Sequence, residues 1–214
     1  MVKVGSQLFS AEGPRAIQRL AGMGLGIFLD LKFHDIPNTV AGAVSAVAGL
    51  PGVRLITLHI SGGTAMMRAA REAVGTGRRR PALLGVTILT SLDAGALKEV
   101  GISGTPASRA LELALLAQNA GLDGVVASAQ EASAIREACG QDFLIVVPGI
   151  RPAQASVNDQ ARVATPAQAI RNGANYLVVG RPITEASDPR SAALAIAREI
   201  SSAAQPDSKF NRNP

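Results

Sequence analysis

Short apolar runs rich in β-branched residues alternate along the chain with alanine-rich segments of helical spacing. The apolar runs cover positions 2–4, 26–31, 54–59, 82–89, 124–127, 143–147 and 175–179. Continuous apolar runs of this length predict strands buried on both faces, as in a parallel sheet. Between them, Val40, Ala43, Val44 and Val47 repeat at i, i+3, i+4, i+7, and Ala110, Leu113, Ala114 and Ala117 do the same, which predicts amphipathic helices. Thr165-Pro166 and Asp188-Pro189 mark helix starts, because each offers a capping oxygen followed by proline at the first helical position.

A strand every few tens of residues, with a helix between, is the rhythm of a parallel α/β fold. Seven strands are recognisable, one fewer than a (β/α)₈ barrel requires. The alternation alone admits either an open doubly wound sheet or a TIM barrel lacking its first βα unit. No short-period repeat or low-complexity linker divides the chain, so residues 1–204 are expected to form one domain. Residues 205–214 are polar and aperiodic, and a disordered tail is expected there.

Composition narrows the function classes. Hydrophobic residues make up 47% of the 214 positions and charged residues 17%, the balance of a globular chain. No apolar run reaches the ~18 residues of a membrane span, and the first residues lack the layout of a signal peptide. One cysteine, Cys139, fits a reducing compartment and is read as a small apolar helix residue; a cytoplasmic protein is expected. The formal net charge is +5, yet aromatics are only 3%, which leaves no stacking platform for nucleic acid. The basic run Arg78-Arg79-Arg80 reads as a solvated loop before a strand. Two histidines, His34 and His59, without a Cys/His cluster give no metal motif, and no metal or cofactor is expected. His59 reads as a packing or hydrogen-bonding residue and His34 as a loop residue.

Asp30-Leu31-Lys32-Phe33-His34-Asp35-Ile36-Pro37-Asn38-Thr39 carries the candidate chemistry. If strand alternation holds, Leu29 and Leu31 point to one side and Asp30 and Lys32 to the other. Two charges inside a strand core are costly unless paired or functional. Asp35 follows where the strand should turn into its loop, and Asn38 or Thr39 is placed to cap the next helix. An acid, a base and a second acid then stand at a strand's C-terminal end, where barrel active sites are built. A buried Asp30–Lys32 salt bridge without function is the competing account. Gly180-Arg181 and Gly149-Ile150-Arg151 follow the last two strands, the usual phosphate site of a barrel, although Arg181 also fits a surface turn.

The ten-residue segment closely resembles the signature of bacterial orotidine 5′-monophosphate decarboxylases. Further matches follow in order: Val2-Lys3-Val4-Gly5, Leu58-His59 with Gly62-Gly63, Thr87-Ile88-Leu89-Thr90-Ser91, Pro148-Gly149-Ile150-Arg151, Asn158-Asp159-Gln160-Ala161-Arg162 and Val179-Gly180-Arg181-Pro182-Ile183-Thr184. The resemblance implies a TIM barrel that converts orotidine 5′-monophosphate to UMP without a cofactor. It implies that Lys32 is the proton donor, with Asp30, Lys3 and Asp35 completing an alternating charge array. It places Thr90 near the pyrimidine, and Arg151, Gln160, Gly180 and Arg181 around the phosphate. It also implies a homodimer, with Asp35 and Thr39 reaching the partner's site.

The family has a strand before the one containing Lys3, ending in an Ala-Leu-Asp-type motif, and no counterpart precedes Met1. A start codon placed too late, a fragment and a true truncated variant all account for this. The first is favoured, because Val2 and Lys3 continue the family pattern up to Met1. A chain truly this short is expected to leave a gap between its first and last strands, to fold poorly and to turn over weakly. Two rival readings follow: a magnesium-using sugar-phosphate decarboxylase or aldolase of the same barrel group, and an inactive truncated nucleotide-binding form.

Overall fold

The structure, a computed structural model, describes residues 1–77, 79–152 and 164–204. The elements run β1 (Val2–Gly5), α1 (Ser6–Glu12), α2 (Pro14–Gly22), β2 (Ile27–Phe33), α3 (Pro37–Ala48), β3 (Val53–His59), α4 (Gly63–Val74), β4 (Ala82–Val86), α5 (Ala94–Glu99), α6 (Pro106–Asn119), β5 (Gly124–Val126), α7 (Ala132–Cys139), β6 (Leu144–Val147), α8 (Pro166–Arg171), β7 (Tyr176–Leu177), α9 (Arg181–Thr184) and α10 (Pro189–Ala204). Each apolar run of the sequence forms a strand.

The strands make one sheet in chain order, β1 to β7, and every neighbouring pair is parallel. A doubly wound sheet reverses its strand order at a switch point, so sequential order excludes it. Among the described residues β1 and β7 are the outer strands and do not pair with each other. They nonetheless line a single cavity of about 370 Å³, together with Phe28, Leu55 and Val146. The sheet therefore curls round until its first and last strands face one another, as an open, seven-stranded member of the TIM-barrel type.

Two apolar layers follow from strand alternation. Phe28, Leu55, Leu84 and Val146 pack with Ala82, Val126, Leu144 and Val178 in a cluster made of sheet-side residues alone, which is the barrel interior. The opposite faces, including Leu29, Ile56, Leu58, Leu83, Val125 and Ile145, pack against helix residues such as Ile17, Val44, Met66, Ala117 and Ile135. The inner face of the sheet is thus an apolar floor and its outer face a buried wall against the helices.

Three local readings change. Neither Asn38 nor Thr39 caps α3: Ile36 is the N-cap and Pro37 takes the first helical position. The fixed φ and missing N–H of proline suit that position, so the helix begins earlier than a polar cap would place it. Arg80 is not a solvated loop arginine. It forms a two-pronged ion pair with Asp123 (2.6 and 2.7 Å), and Asp123 also accepts the Leu83 N–H at 2.7 Å, tying the approach to β4 to that of β5. The helix rhythm is also less regular than one helix per crossover, since α1 and α2 both lie between β1 and β2, and α5 and α6 between β4 and β5. Thr165 caps α8 through the Gln168 N–H, and Asp188 accepts the Ser191 N–H at the start of α10, as the Thr-Pro and Asp-Pro pairs predict. Cys139 is a buried residue at the end of α7, and burial pushes its thiol up. No helix among the described residues is long and apolar enough to cross a membrane. The expected tail, residues 205–214, lies outside the described residues.

Candidate active site

Asp30 is the centre of the charged cluster. It is 8% exposed, on the inner face of β2. Its Oδ2 accepts from Lys32 Nζ at 2.8 Å and lies 3.3 Å from Lys3 Nζ on the neighbouring β1. Its Oδ1 accepts from the Thr57 hydroxyl on β3 at 3.0 Å. Burial pushes the carboxyl up, but the Lys32 hydrogen bond and charge, the Lys3 charge and the Thr57 hydroxyl outweigh it, and the net displacement is below the usual carboxylate range. Asp30 is therefore ionised near neutrality.

Lys32 reaches the same side as Asp30 by a route that simple alternation does not describe. Leu29 pairs with Ile56, and the next pair is Phe33 with Leu58, so β2 takes four steps while β3 takes two. The extra residues bulge. Lys32 has φ of 52°, the only left-handed non-glycine backbone among the described residues. Its N–H leaves the strand ladder and donates to Thr57 Oγ1 at 2.9 Å. Bulges next to active sites commonly re-aim a side chain in this way.

A cavity of about 190 Å³ opens at this point, lined by Lys3, Asp30, Lys32 and Thr90 and walled by apolar residues including Val86, Ile88, Val126 and Val178. The lysine side chains are about a third exposed, at 36% and 35%. The arrangement offers an ammonium held by an ionised carboxylate against a mostly apolar wall. Such a pair can stabilise negative charge developing in the cavity and deliver a proton to it. A larger crevice, about 740 Å³, lies at the opposite ends of the strands around Arg80 and Asp123. Its charged pair is already satisfied by internal hydrogen bonds, and it gathers no comparable chemistry.

The other sequence candidates divide. Thr90 lines the cavity with the charged cluster, whereas Asp35 and Thr39 lie on an exposed stretch, residues 34–39. Asp35 Oδ1 accepts the N–H of Ile36 at 2.6 Å instead of turning toward Lys32. Arg151 is 7% exposed, and its Nε has no hydrogen-bond partner among the described residues. Gly180 is the exposed N-cap of α9, directly before the half-buried Arg181. Arg151, Gly180 and Arg181 do not line the 190 Å³ cavity. Gln160, with Asn158 and Asp159, lies outside the described residues.

Sequence reasoning missed Thr57. The available signal was a polar residue two positions before His59, on the same face of the strand and between Ile56 and Leu58. His59 lines a separate crevice with His34, the two ring centroids 5.4 Å apart. Burial lowers its pKa, His34 and Lys32 push it further down, and Asp30 opposes them. Among the described residues no group of three or more His, Cys, Asp or Glu is placed to hold a metal.

Known proteins resemble this chain in sequence and fold. Residues 1–196 match the Orotidine 5′-phosphate decarboxylase / HUMPS family. The chain belongs to this family. It is 55% identical over 200 residues to the orotidine 5′-phosphate decarboxylase of Nitrosococcus oceani, covering 94% of this chain and 86% of that protein. The enzyme of the same name from Hydrogenovibrio crunogenus is 54% identical, over 93% of this chain and 82% of its own length. Among solved structures, orotidine 5′-phosphate decarboxylase from Lactobacillus acidophilus superposes with a TM-score of 0.82 at 42% identity, covering 94% of this chain and 86% of that one. The orotidine 5′-phosphate decarboxylase from Pyrococcus horikoshii gives 0.74 at 28% identity over the same shares. The sequential parallel sheet is thus a fold that this chain shares with orotidine 5′-phosphate decarboxylases of known structure.

Proposed function

We propose that this chain decarboxylates orotidine 5′-monophosphate to UMP, the last step of de novo pyrimidine nucleotide synthesis, as a cytoplasmic enzyme with its active site in one domain of residues 1–204. The observation that carries the reading is the Lys3–Asp30–Lys32 array against the apolar wall of the barrel mouth. The bond from carbon six of the pyrimidine to its carboxylate breaks, carbon dioxide departs, and the electron pair stays on carbon six. Lys32 Nζ lies beside that carbon, attracts the developing charge and transfers its proton; solvent later restores the ammonium. An interaction that strengthens as the carbanion forms lowers the barrier, whereas one equally strong with substrate does not. Asp30 holds and aims Lys32, and Lys32 with Lys3 and the Thr57 hydroxyl keeps Asp30 ionised in a site where burial alone favours the neutral acid.

Thr90 borders the pyrimidine in this reading, and Gly180, Arg181, Arg151 and Gln160 hold the phosphate. The buried Arg151 Nε, unpartnered among the described residues, supports an anion nearby, since a guanidinium withdrawn from water gains most from a charged acceptor. The exposed 34–39 stretch supports a homodimer in which Asp35 and Thr39 enter the partner's site. The proposed chemistry uses no metal or organic cofactor.

The test is direct. Purified protein should consume orotidine 5′-monophosphate, read as loss of orotate absorbance, at a rate unaffected by a chelator. Lys32→Ala should abolish turnover while UMP binding stays measurable by calorimetry. Turnover retained in Lys32→Ala would remove Lys32 as proton donor, and chelator-sensitive turnover of a sugar phosphate would replace the whole reading.

A further inference from the structure

We infer that Thr57 is a positioning residue whose single hydroxyl sets both the carboxylate of Asp30 and the bulged backbone of Lys32. The inference deepens the proposed reaction and rests on the reading of Asp30 and Lys32 given above.

Thr57 is fully buried on the inner face of β3. Its hydroxyl works in two directions at once. The proton goes to Asp30 Oδ1 at 3.0 Å, and a lone pair receives the Lys32 N–H at 2.9 Å. An ionised carboxylate only accepts and a backbone N–H only donates, so the rotor has one satisfied setting. Each bond has a distinct geometric consequence. With Oδ1 held by Thr57, Oδ2 faces Lys32 Nζ at 2.8 Å and Lys3 Nζ at 3.3 Å. With the Lys32 N–H drawn to Thr57, the backbone of Lys32 is kept at φ 52°, a region a side chain with Cβ ordinarily avoids. Such a conformation persists only where the surroundings over-determine it. The bulge between Leu29 and Phe33 removes Lys32 from the ladder, and Thr57 supplies the acceptor that the ladder no longer provides.

Valine has nearly the shape of threonine without the hydroxyl. Thr57→Val should leave the Lys32 N–H without its acceptor and Asp30 Oδ1 without its donor in a site shielded from water. Hydrogen bonds to charged groups are strong enough that kcat is expected to fall roughly 10- to 100-fold. KM should change less than about threefold, because Thr57 does not line the substrate cavity and acts through groups that matter most as charge develops. The Thr57 hydroxyl favours the ionised form of Asp30, so its loss should move the acid limb of the kcat profile to higher pH. Thr57→Ser restores the hydroxyl and should recover kcat to within about fivefold of wild type, given the ordinary cost of a lost buried methyl.

A ¹³C titration of the Asp30 carboxyl in the same proteins needs no turnover. Its midpoint should rise in Thr57→Val and return in Thr57→Ser. If Thr57→Val does not fold, Thr57→Ala supplies the same readings. Wild-type kcat and an unmoved pH profile in the hydroxyl-free variant would overturn the inference while leaving the proposed reaction standing. So would a Thr57→Ser variant as slow as the valine variant, because methyl packing would then account for the effect. If the wild type fails to turn over orotidine 5′-monophosphate, the proposed reaction fails, and the carboxyl titration still decides the role of Thr57: an unmoved midpoint overturns it.

Discussion

Replacing Asp30 with asparagine tests whether the charged cluster holds the barrel mouth together or merely tolerates its own burial. Asp30 is 8% exposed, and burial is the largest single influence on it, yet the net effect still favours the carboxylate. The attractive contacts therefore outweigh desolvation. Asp30→Asn removes the charge, keeps the shape and leaves two ammonium groups facing each other across the gap. Breaking a fully buried ion pair costs about 3–5 kcal/mol. The lysine side chains are 36% and 35% exposed, so water takes up much of their charge, and the figure is discounted to about 1–3 kcal/mol. For a chain of this size that lowers Tm by roughly 3–10 °C.

The sign of the pH dependence follows from the same carboxylate. A folded-state pKa below the unfolded value adds stability that is present above about pH 3.9 and is lost as pH falls through the folded value. Wild type should lose this increment on acidification below pH 4, and Asp30→Asn should not. Urea titrations at neutral and acidic pH measure both. A variant as stable as wild type at pH 7, with an identical acid limb, would refute the claim that attraction wins over desolvation at this site.

Two further outcomes follow. Asp123→Ala removes the acceptor of the Arg80 fork and of the Leu83 N–H, and should cost about 2–4 kcal/mol in chemical denaturation, while Asp123→Asn should cost less; a loss under about 1 kcal/mol would show that solvent replaces the fork. His59 is held below its ordinary value of 6.5 mainly by burial, so the folded state resists protonation and stability should fall as pH drops from about 6.5 toward the folded value. His59→Gln should flatten that part of the profile, and an unchanged slope would place its source elsewhere.

The strands and the gathering of charged residues at a strand end were legible in the sequence because they depend on local periodicity, whereas the strand order was not, since alternation alone also admitted a doubly wound sheet. Apolar runs separated by one crossover each leave few arrangements for a parallel sheet, and polar residues at strand ends point to the barrel mouth. The convergence of Asp30 with Lys32 was legible too, but for an incomplete reason. Alternation put both on one face, whereas the structure turns Lys32 there through a bulge and a left-handed backbone. A bulge is a mismatch between two strands distant in sequence, and no single strand records it. Thr57 was overlooked for the same cause, since its partners lie 25 and 27 residues away along the chain. Arg80 looked solvated because its partner Asp123 stands 43 positions later.

What the sequence determined by itself was the alternation of elements, the sequential supply of strands and the chemical kinds gathered near their ends. What only the tertiary structure decided was which oxygen of Asp30 meets which ammonium, how Lys32 departs from the strand, and where β1 and β7 stand with a cavity between them. Periodicity is written in neighbouring residues. Hydrogen-bond direction and strand register are settled between residues that meet only after the chain has folded.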